Sequence, residues 1–434
     1  MSASDLTPRL PLPARALALV LTSTGGDAPA GEARRLSPAH FGGKFRSVDF
    51  VLSNCMNSGM RRIGVLSPHH SHSLQRHLKR SWSFLKGDGC EFIELLSLQP
   101  LASVAASLKD EVLEPAPMLD LLMRSSAEFV LVLTGERIYK MNYASMLADH
   151  VAKGRACTVA CLEGPPGEPP DSAWVEVDTR WRVVACGDAI ERAALDAGRR
   201  ASPSPRRLLN TGIYIFNRSH LLDALTRPGA AWLSPLALER DLLAHAVNSA
   251  QASAHSFALS CIGTVAGRAP YWRDVGSVDA YWDANIDLTA SVPQLDLYDP
   301  NWPMRAQQAE LAPAKFLHNQ ADRRGLALES LVSGGCIISG SVLRSVLFHS
   351  VRVHSYAEVE WSVLLPSVQV GRHARLRRVV VERGCIIPDG LVIGEDPQMD
   401  AARFFRTELG ITLVTADMLA RLPPFQPAPV SLKP

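Results

Sequence analysis

Residues 17–46 read LALVLTSTGGDAPAGEARRLSPAHFGGKFR. An apolar run passes into a loop carrying Gly25 and Gly26, then a basic pair, Arg34 and Arg35, then FGGKFR with Lys44 and Arg46. Backbone N–H groups of a glycine-containing loop, with cations beside them, are the parts that cradle phosphates. The segment therefore has the layout of a nucleotide loop. Asp27 opposes that use by placing negative charge where phosphates would lie. Two further clusters have residue types that could do chemistry. SPHHSHS offers His69, His70 and His72, but no carboxylate stands near them in the sequence to complete a metal set. Cys157 and Cys161, spaced C-x3-C, share one face of an alternating strand and are expected in the core rather than on a metal.

The surrounding elements must position these groups. ALALVL (16–21) is a short continuous apolar run that suits a central parallel strand. SVDFVLSNCMNSG predicts an amphipathic helix with Val48, Leu52, Cys55 and Met56 on one face and Gly59 as terminator. RRIGVLS reads as a strand, SHSLQRHLKRSW as a helix and AEFVLVLTGE (127–136) as a third buried strand. YASMLADHVAKG is a helix closed by Gly154, ACTVACLE a fourth strand and TGIYIFN (211–217) another. Alternation of this kind means an α/β domain with a parallel sheet, whose ligands bind beyond the carboxyl ends of the strands. The loops after Leu21 and Leu133 are therefore the places to look.

From about residue 330 to 395 the texture changes. Aliphatic residues recur every six positions at Val353, Val359 and Leu365, then Val370 and Leu376, then Ile387 and Ile393. Such hexads predict a parallel β-helix with three hexads per coil. An ordinary sandwich would space its strands 8–12 residues apart. The expected division is a tail over 1–14, a nucleotidyltransferase-like domain over 15–290, a linker over 291–325, the β-helix over 326–422 and a second tail over 423–434. A chain of 434 residues is too long for one ordinary core. The net charge of +2 gives no general reason to expect nucleic acid or a membrane as partner. No apolar run reaches the ~18 residues of a membrane span. RALALVLTSTGGDAPA has the outline of a signal peptide cleaved at Ala28-Pro29-Ala30, but its apolar part is short and an enzyme-like domain continues from it. The eight scattered cysteines suit buried thiols in a reducing compartment, so a cytoplasmic protein is expected.

Several long stretches resemble one family closely: HFGGKFRSVDFVLSNCMNSGMRRIGVLS, SHSLQRHLKRSWSFL, RIYKMNYASMLADHVAKG, PYWRDVGSVDAYWDAN, LDLYDPNWP, LVSGGCIISGSVLRSVLF, RLRRVVVERGCIIPDGLVIGEDPQMDAARF and GITLVT. They are similar to the ADP-glucose pyrophosphorylases (glucose-1-phosphate adenylyltransferases) of bacterial glycogen synthesis, over about residues 15–421. The resemblance implies a Rossmann-like, mixed or parallel-sheet nucleotidyltransferase domain followed by a left-handed parallel β-helix. It implies the reaction ATP + glucose 1-phosphate to ADP-glucose + pyrophosphate, with Mg2+. It also implies sugar-phosphate effectors bound by basic residues, and a tetramer.

Measured against the family's motifs, the catalytic segments depart. The family loop GGxGxRL is here Thr22-Ser23-Thr24-Gly25-Gly26-Asp27-Ala28, about two residues shorter and without Gly-x-Gly. Where the family has RAKP stand Arg34, Arg35, Leu36 and Ser37, so its lysine has become Leu36. GTADA aligns with Asp110-Glu111-Val112-Leu113-Glu114. The metal-binding Asp of GDH aligns with Glu136, beside Arg137, and the Lys of EKP with Ala189. The FG segment has shrunk to Trp174-Val175. Asp274 matches the second metal carboxylate; as a plain loop carboxylate it would instead accept local N–H groups. Lys44 and Arg383 match two effector positions, and Arg46, Arg372, Arg375, Arg377 and Arg378 add local charge. A solvated basic face is the other reading of those arginines. The tail TADMLARL lacks basic residues that some members carry.

Losses on separate catalytic segments, with scaffold segments kept, point to a regulatory, weakly active or inactive subunit. It would bind a sugar-phosphate effector, with ATP and ADP-glucose as further candidate ligands, and form a homotetramer or a heterotetramer with an active paralogue. One lost phosphate contact costs about 3 kcal/mol, roughly a hundredfold in rate. Two alternatives stay open. One is an active adenylyltransferase whose remodelled site uses Glu136, Asp274, Arg34 and Arg35 with Mg2+. The other is a non-enzymatic, sugar-phosphate-sensing assembly module.

Overall fold

The computed structural model describes residues 11–22, 40–67, 72–83, 92–97, 116–163, 173–187, 206–227, 235–263, 268–306, 310–320 and 323–422. Contacts divide it into two compact units. The first holds the described residues up to Thr22, then Val48–Trp272 and Pro300–Met304. The second holds residues 40–47, Arg273–Asp299 and the described residues from 305 onward. Among the described residues no helix is long and apolar enough to cross a membrane.

The first unit is built on a nine-stranded sheet. Its strands are β1 (Ala16–Leu21), β2 (Arg62–Ser67), β3 (Phe92–Ser97), β4 (Phe129–Thr134), β5 (Arg137–Tyr139, outside the sheet), β6 (Cys157–Leu162), β7 (Trp174–Val177), β8 (Val183–Gly187), β9 (Arg206–Asn217) and β10 (Ala252–Ser256). All six residues of β1 are buried. Leu17, Leu19 and Leu21 enter one apolar cluster while Ala16, Ala18 and Val20 enter another. A continuous apolar run does this because alternate side chains leave opposite faces of a sheet covered on both sides. The helix α1 (Ser47–Asn57) covers one face through Val48, Leu52, Cys55 and Met56, as its periodicity predicts. The helix α4 (Tyr143–Lys153) joins it there and ends at Gly154, whose φ of 61° is left-handed. Asn54 of α1 clamps the end of β5, donating to Tyr139 O at 3.0 Å and accepting from the Met141 N–H at 3.2 Å.

The strand order β3-β2-β1-β4 runs parallel. Next to β4 the sheet becomes mixed. The 12-residue β9 lies antiparallel to β4, β6 and β7, and β7–β8 is an antiparallel pair. The mixed or parallel sheet that the family resemblance implies is thus a mixed one, parallel over the first four strands and antiparallel where β9 enters, with β10 again parallel to β6. Cys157 and Cys161 are buried in one apolar cluster, as alternation predicts. All seven described cysteines are free thiols.

The second unit holds a parallel β-helix of three sheets of five, five and six strands, the last strand of the third, Phe405–Arg406, pairing antiparallel with Thr412–Val414. Val353, Val370 and Ile387 stack in register, as do Val342, Val359, Leu376 and Ile393. The repeat is therefore 17 residues per coil rather than three full hexads. The short side is the third. Leu347, Leu364 and Val381 stack there, so Leu364 points inward where Leu365 was expected. The first rung is Lys315–Phe316, paired with Ile337–Ile338, inside the stretch that reads as linker.

Candidate functional site

Between β1 and β4 the strand order reverses direction, and ligands of such sheets bind outside the carboxyl ends at that point. Here β1 leads into Thr22 and β4 into Gly135-Glu136-Arg137. The Gly135 N–H donates to Leu21 O at 2.7 Å. A Cβ on Gly135 would lie 3.1 Å from both Leu21 O and Thr22 Cγ2, so a side chain would crowd the two strand ends. The N–H and the Oγ1 of Thr22 both donate to Leu66 O, at 3.0 and 2.9 Å. Thr134 Oγ1 donates to Gly212 O at 3.1 Å. Gly212 has φ +75° and no room for a Cβ, which would lie 2.5 Å from Thr134 Oγ1.

Glu136 is half-buried at this edge. Its neighbour Arg137 lays its guanidinium over the Trp272 ring at 5.3 Å, and Trp272 Nε1 donates to Thr211 O at 3.2 Å. Stacking of this kind holds the cation on the indole face. Asp274 belongs to the second unit. It is exposed, and its Oδ1 accepts the Gly276 N–H at 2.9 Å, closing a local turn. Among the described residues no group of three His, Cys, Asp or Glu could hold a metal ion. Gly25, Gly26, Arg34, Arg35, Leu36 and Ala189, together with His69, His70 and Asp110 to Glu114, lie outside the described residues.

The second unit shows what FGGKFR does. His40–Phe41 pairs antiparallel with Phe45–Arg46, and Gly42 (φ 59°) and Gly43 (φ 78°) make the turn. The Gly42 N–H donates to Asn285 Oδ1 at 2.9 Å and Tyr281 Oη donates to His40 O at 2.5 Å. Both acceptor and donor come from the helix α7 (Val278–Asp287), counting α5 (Arg218–Leu225) and α6 (Pro235–Asn248) before it. Ser333 Oγ donates to Gly43 O at 2.7 Å, and the His40 ring meets Phe348 edge-on at 5.7 Å. The hairpin is thus seated on the first two coils, with Lys44 exposed and Arg46 half-buried.

The other basic residues fall on different corners of the β-helix. Arg383 is exposed at the corner that follows Val379–Val381, below which lie Ser333 and Phe348-His349 in the first two coils. Arg377 and Arg378 precede that strand, on the opposite edge of the same sheet. Arg378 stacks over Trp282 at 5.0 Å and donates from Nη2 to Leu409 O at 3.2 Å. Arg377 faces Glu360 at 3.9 Å and Arg375 faces Glu395 at 3.1 Å. Arg372 lies at the third corner, its N–H donating to Asp389 Oδ1 at 2.7 Å. The structure therefore sets Lys44 and Arg383 on one corner and Arg372, Arg377 and Arg378 elsewhere. The roles of Trp272 and Trp282 in holding Arg137 and Arg378 were not foreseen; the only signal in the sequence is an aromatic in each flank of Asp274.

A mixed α/β sheet with its reversal point between β1 and β4, joined to a hexapeptide β-helix, defines a nucleotidyl transferase of the two-part type. Residues 35–291 match the nucleotidyl transferase family model and residues 312–414 the GlmU-like, C-terminal hexapeptide model. The chain is 44% identical to a glucose-1-phosphate adenylyltransferase of Enterobacter sp. (strain 638), over 95% of each chain. It is 47% identical to one of Albidiferax ferrireducens, over 88% of this chain and 90% of that one. It is 44% identical to one of Yersinia pseudotuberculosis, over 95% of this chain and 96% of that one. The chain belongs to the glucose-1-phosphate adenylyltransferase family.

Proposed function

We propose that this protein is a regulatory, weakly active or inactive subunit of the family. The observation that carries the reading is at the reversal point. The scaffold is kept there, in Thr22, Gly135, Thr134 and Gly212, while the family's metal-binding Asp has become Glu136 and its neighbour Arg137 is stacked on Trp272. The lost lysines at Leu36 and Ala189 remove the cations that would hold phosphates. Each loss weakens the transition state by roughly a hundredfold, without strict additivity. Mg2+ would arrive with nucleotide phosphates, since it needs only one or two carboxylates from the protein. Glu136 of the first unit is the carboxylate of this edge for it, and Asp274 of the second unit is the other carboxylate that the family resemblance names.

The effector reading is that a sugar phosphate binds at the corner carrying Lys44 and Arg383, with Arg46 behind the hairpin. The assembly would be a tetramer, alone or mixed with an active paralogue. The test is pyrophosphate release from ATP and glucose 1-phosphate, by the purified protein alone and with an active family member. The reading expects rates at least a hundredfold below the active partner when alone, and an altered effector response when mixed. Turnover by the lone protein comparable to the active partner's would show an active enzyme with a remodelled site instead.

A further inference from the structure

His349 lies at the same corner of the β-helix as Lys44 and Arg383. Its neighbour Phe348 carries the edge contact to His40, which places the corner of the second coil directly under the hairpin that presents Lys44. The Ser367 N–H donates to His349 O at 3.0 Å, continuing the ladder upward, and the Gly384 N–H donates to Pro366 O at 3.0 Å. Arg383 is thus two rungs above His349, about 10 Å along the axis, within reach of a long side chain folded back. His349 is half-buried, and the charge of Arg383 acts on it directly. The charge that acts on the imidazole is Arg383; the titratable groups along the same corner are Lys44 and His40 on the hairpin, Glu382 beside Arg383, and the Cys336 thiol, which donates to the neighbouring Phe348 O at 3.1 Å.

We propose that His349 is the third cation of this corner's phosphate site, taking up a proton as the phosphate binds. The inference rests on the effector reading given above for Lys44 and Arg383. Without an anion, burial and then the Arg383 charge hold the imidazole below its ordinary pKa, so it is neutral. A phosphate dianion between Lys44 and Arg383 reverses the local field. The proton then moves from solvent to the ring, which supplies a third charge-assisted hydrogen bond. Affinity for the dianion must therefore rise as the solution becomes more acid, and binding must take up more protons with the imidazole present than without it. The corner then acts as an effector site tuned by pH.

The experiment is calorimetric titration of inorganic phosphate, and separately of a hexose bisphosphate, into the full-length protein. It is run in two buffers of different ionisation enthalpy at pH 7, and repeated from pH 6.5 to 8.5. The wild type is expected to take up more protons, or release fewer, than His349→Asn, because binding of the dianion itself releases protons from the phosphate in both. That variant should bind several-fold more weakly at pH 6.5 and equally at pH 8.5. The phosphate's own titration is common to both proteins and cancels in the comparison. His349→Gln and the imidazole resonance of His349, followed by NMR with and without phosphate, give independent readouts; the ring should titrate higher with phosphate present. Equal proton uptake by wild type and variant, with binding intact, would overturn the role of His349 and leave the effector reading standing. Absence of binding of either anion at millimolar concentration would overturn both.

Discussion

Asp149 Oδ2 lies 2.6 Å from His255 Nδ1, and the far nitrogen of that ring, Nε2, lies 2.7 Å from Ser260 Oγ. The sequence Asp–His–Ser is that of a hydrolase relay. Yet Ser260 is only 2% exposed, and no substrate carbonyl can reach it. Its work is positional. Ser260 O accepts the Asn142 N–H at 2.8 Å and the Ile262 N–H donates to Lys140 O at 3.0 Å, so the chain after β10 is tied to the chain after β5. Burial opposes ionisation of Asp149, but hydrogen bonds from Lys153 and His255 outweigh it and hold the carboxyl below its usual range. Partners on both sides put the His255 proton on Nδ1. Ser260→Ala should cost about 1–3 kcal/mol, because it leaves the buried Nε2 without its donor. Urea denaturation at pH 7.5 measures this, and a loss within error of zero would sink the positional role.

Stability should fall on mild acidification. His255, His150, His220 and His245 all have pKa values lowered, in each case first by burial. His220 and His245, on α5 and α6, stack at 5.2 Å; after burial, His245 and Arg227 lower His220, and Arg227 lowers His245. A histidine kept neutral by the fold contributes stability that is complete above the unfolded pKa of about 6.5. That contribution is lost as pH falls through the lower, folded value. Each such group adds a slope of up to about 1.4 kcal/mol per pH unit in that window. Urea midpoints between pH 7.5 and 5.5 should drop steeply, and the double variant His220→Asn/His245→Asn should flatten the curve. An unchanged slope in that variant would count against the pair.

Two glycines should not accept a side chain. Gly212, at φ +75°, would bring a Cβ within 2.5 Å of Thr134 Oγ1, and Gly394, at φ +98°, within 1.8 Å of Arg377 O. A left-handed backbone costs about 1–3 kcal/mol for a non-glycine residue before any clash is added. Gly212→Ala and Gly394→Ala should each lose at least that much by denaturant titration. Gly154→Ala, where a Cβ meets nothing within 4 Å, should lose less than either.

Arg378 and Arg383 should separate stability from binding. Arg378→Ala removes the stack on Trp282, whose Nε1 donates to Trp361 O at 2.6 Å, and should cost about 0.5–1 kcal/mol with phosphate affinity unchanged. Arg383→Ala should leave the denaturation midpoint in place and weaken phosphate binding at least tenfold. The reverse pattern would move the effector to the Arg378 corner.

Much was legible because it is written in short-range periodicity. The run 16–21, the helix face of Val48, Leu52, Cys55 and Met56, the glycine stop at Gly154 and the aliphatic repeat from Val353 to Ile393 each depend on residues a few positions apart. Their periods follow from backbone geometry alone. The proposed departures from the family's motifs at Leu36, Glu136 and Ala189 are likewise readings of the chain itself. The fold decided the rest. That β9 runs antiparallel, that a coil closes in 17 residues with Leu364 inward, and that FGGKFR is a hairpin seated on the β-helix are outcomes of sheet closure. So is the meeting of Asp149 with His255, 106 residues apart in sequence. Arg378 and Arg383 are five residues apart in one basic stretch, yet a strand of about 3.3 Å per residue carries them to different corners. Which arginine stacks on an indole and which faces solvent is set by what the neighbouring coils and α7 place beside it, and no local pattern encodes that.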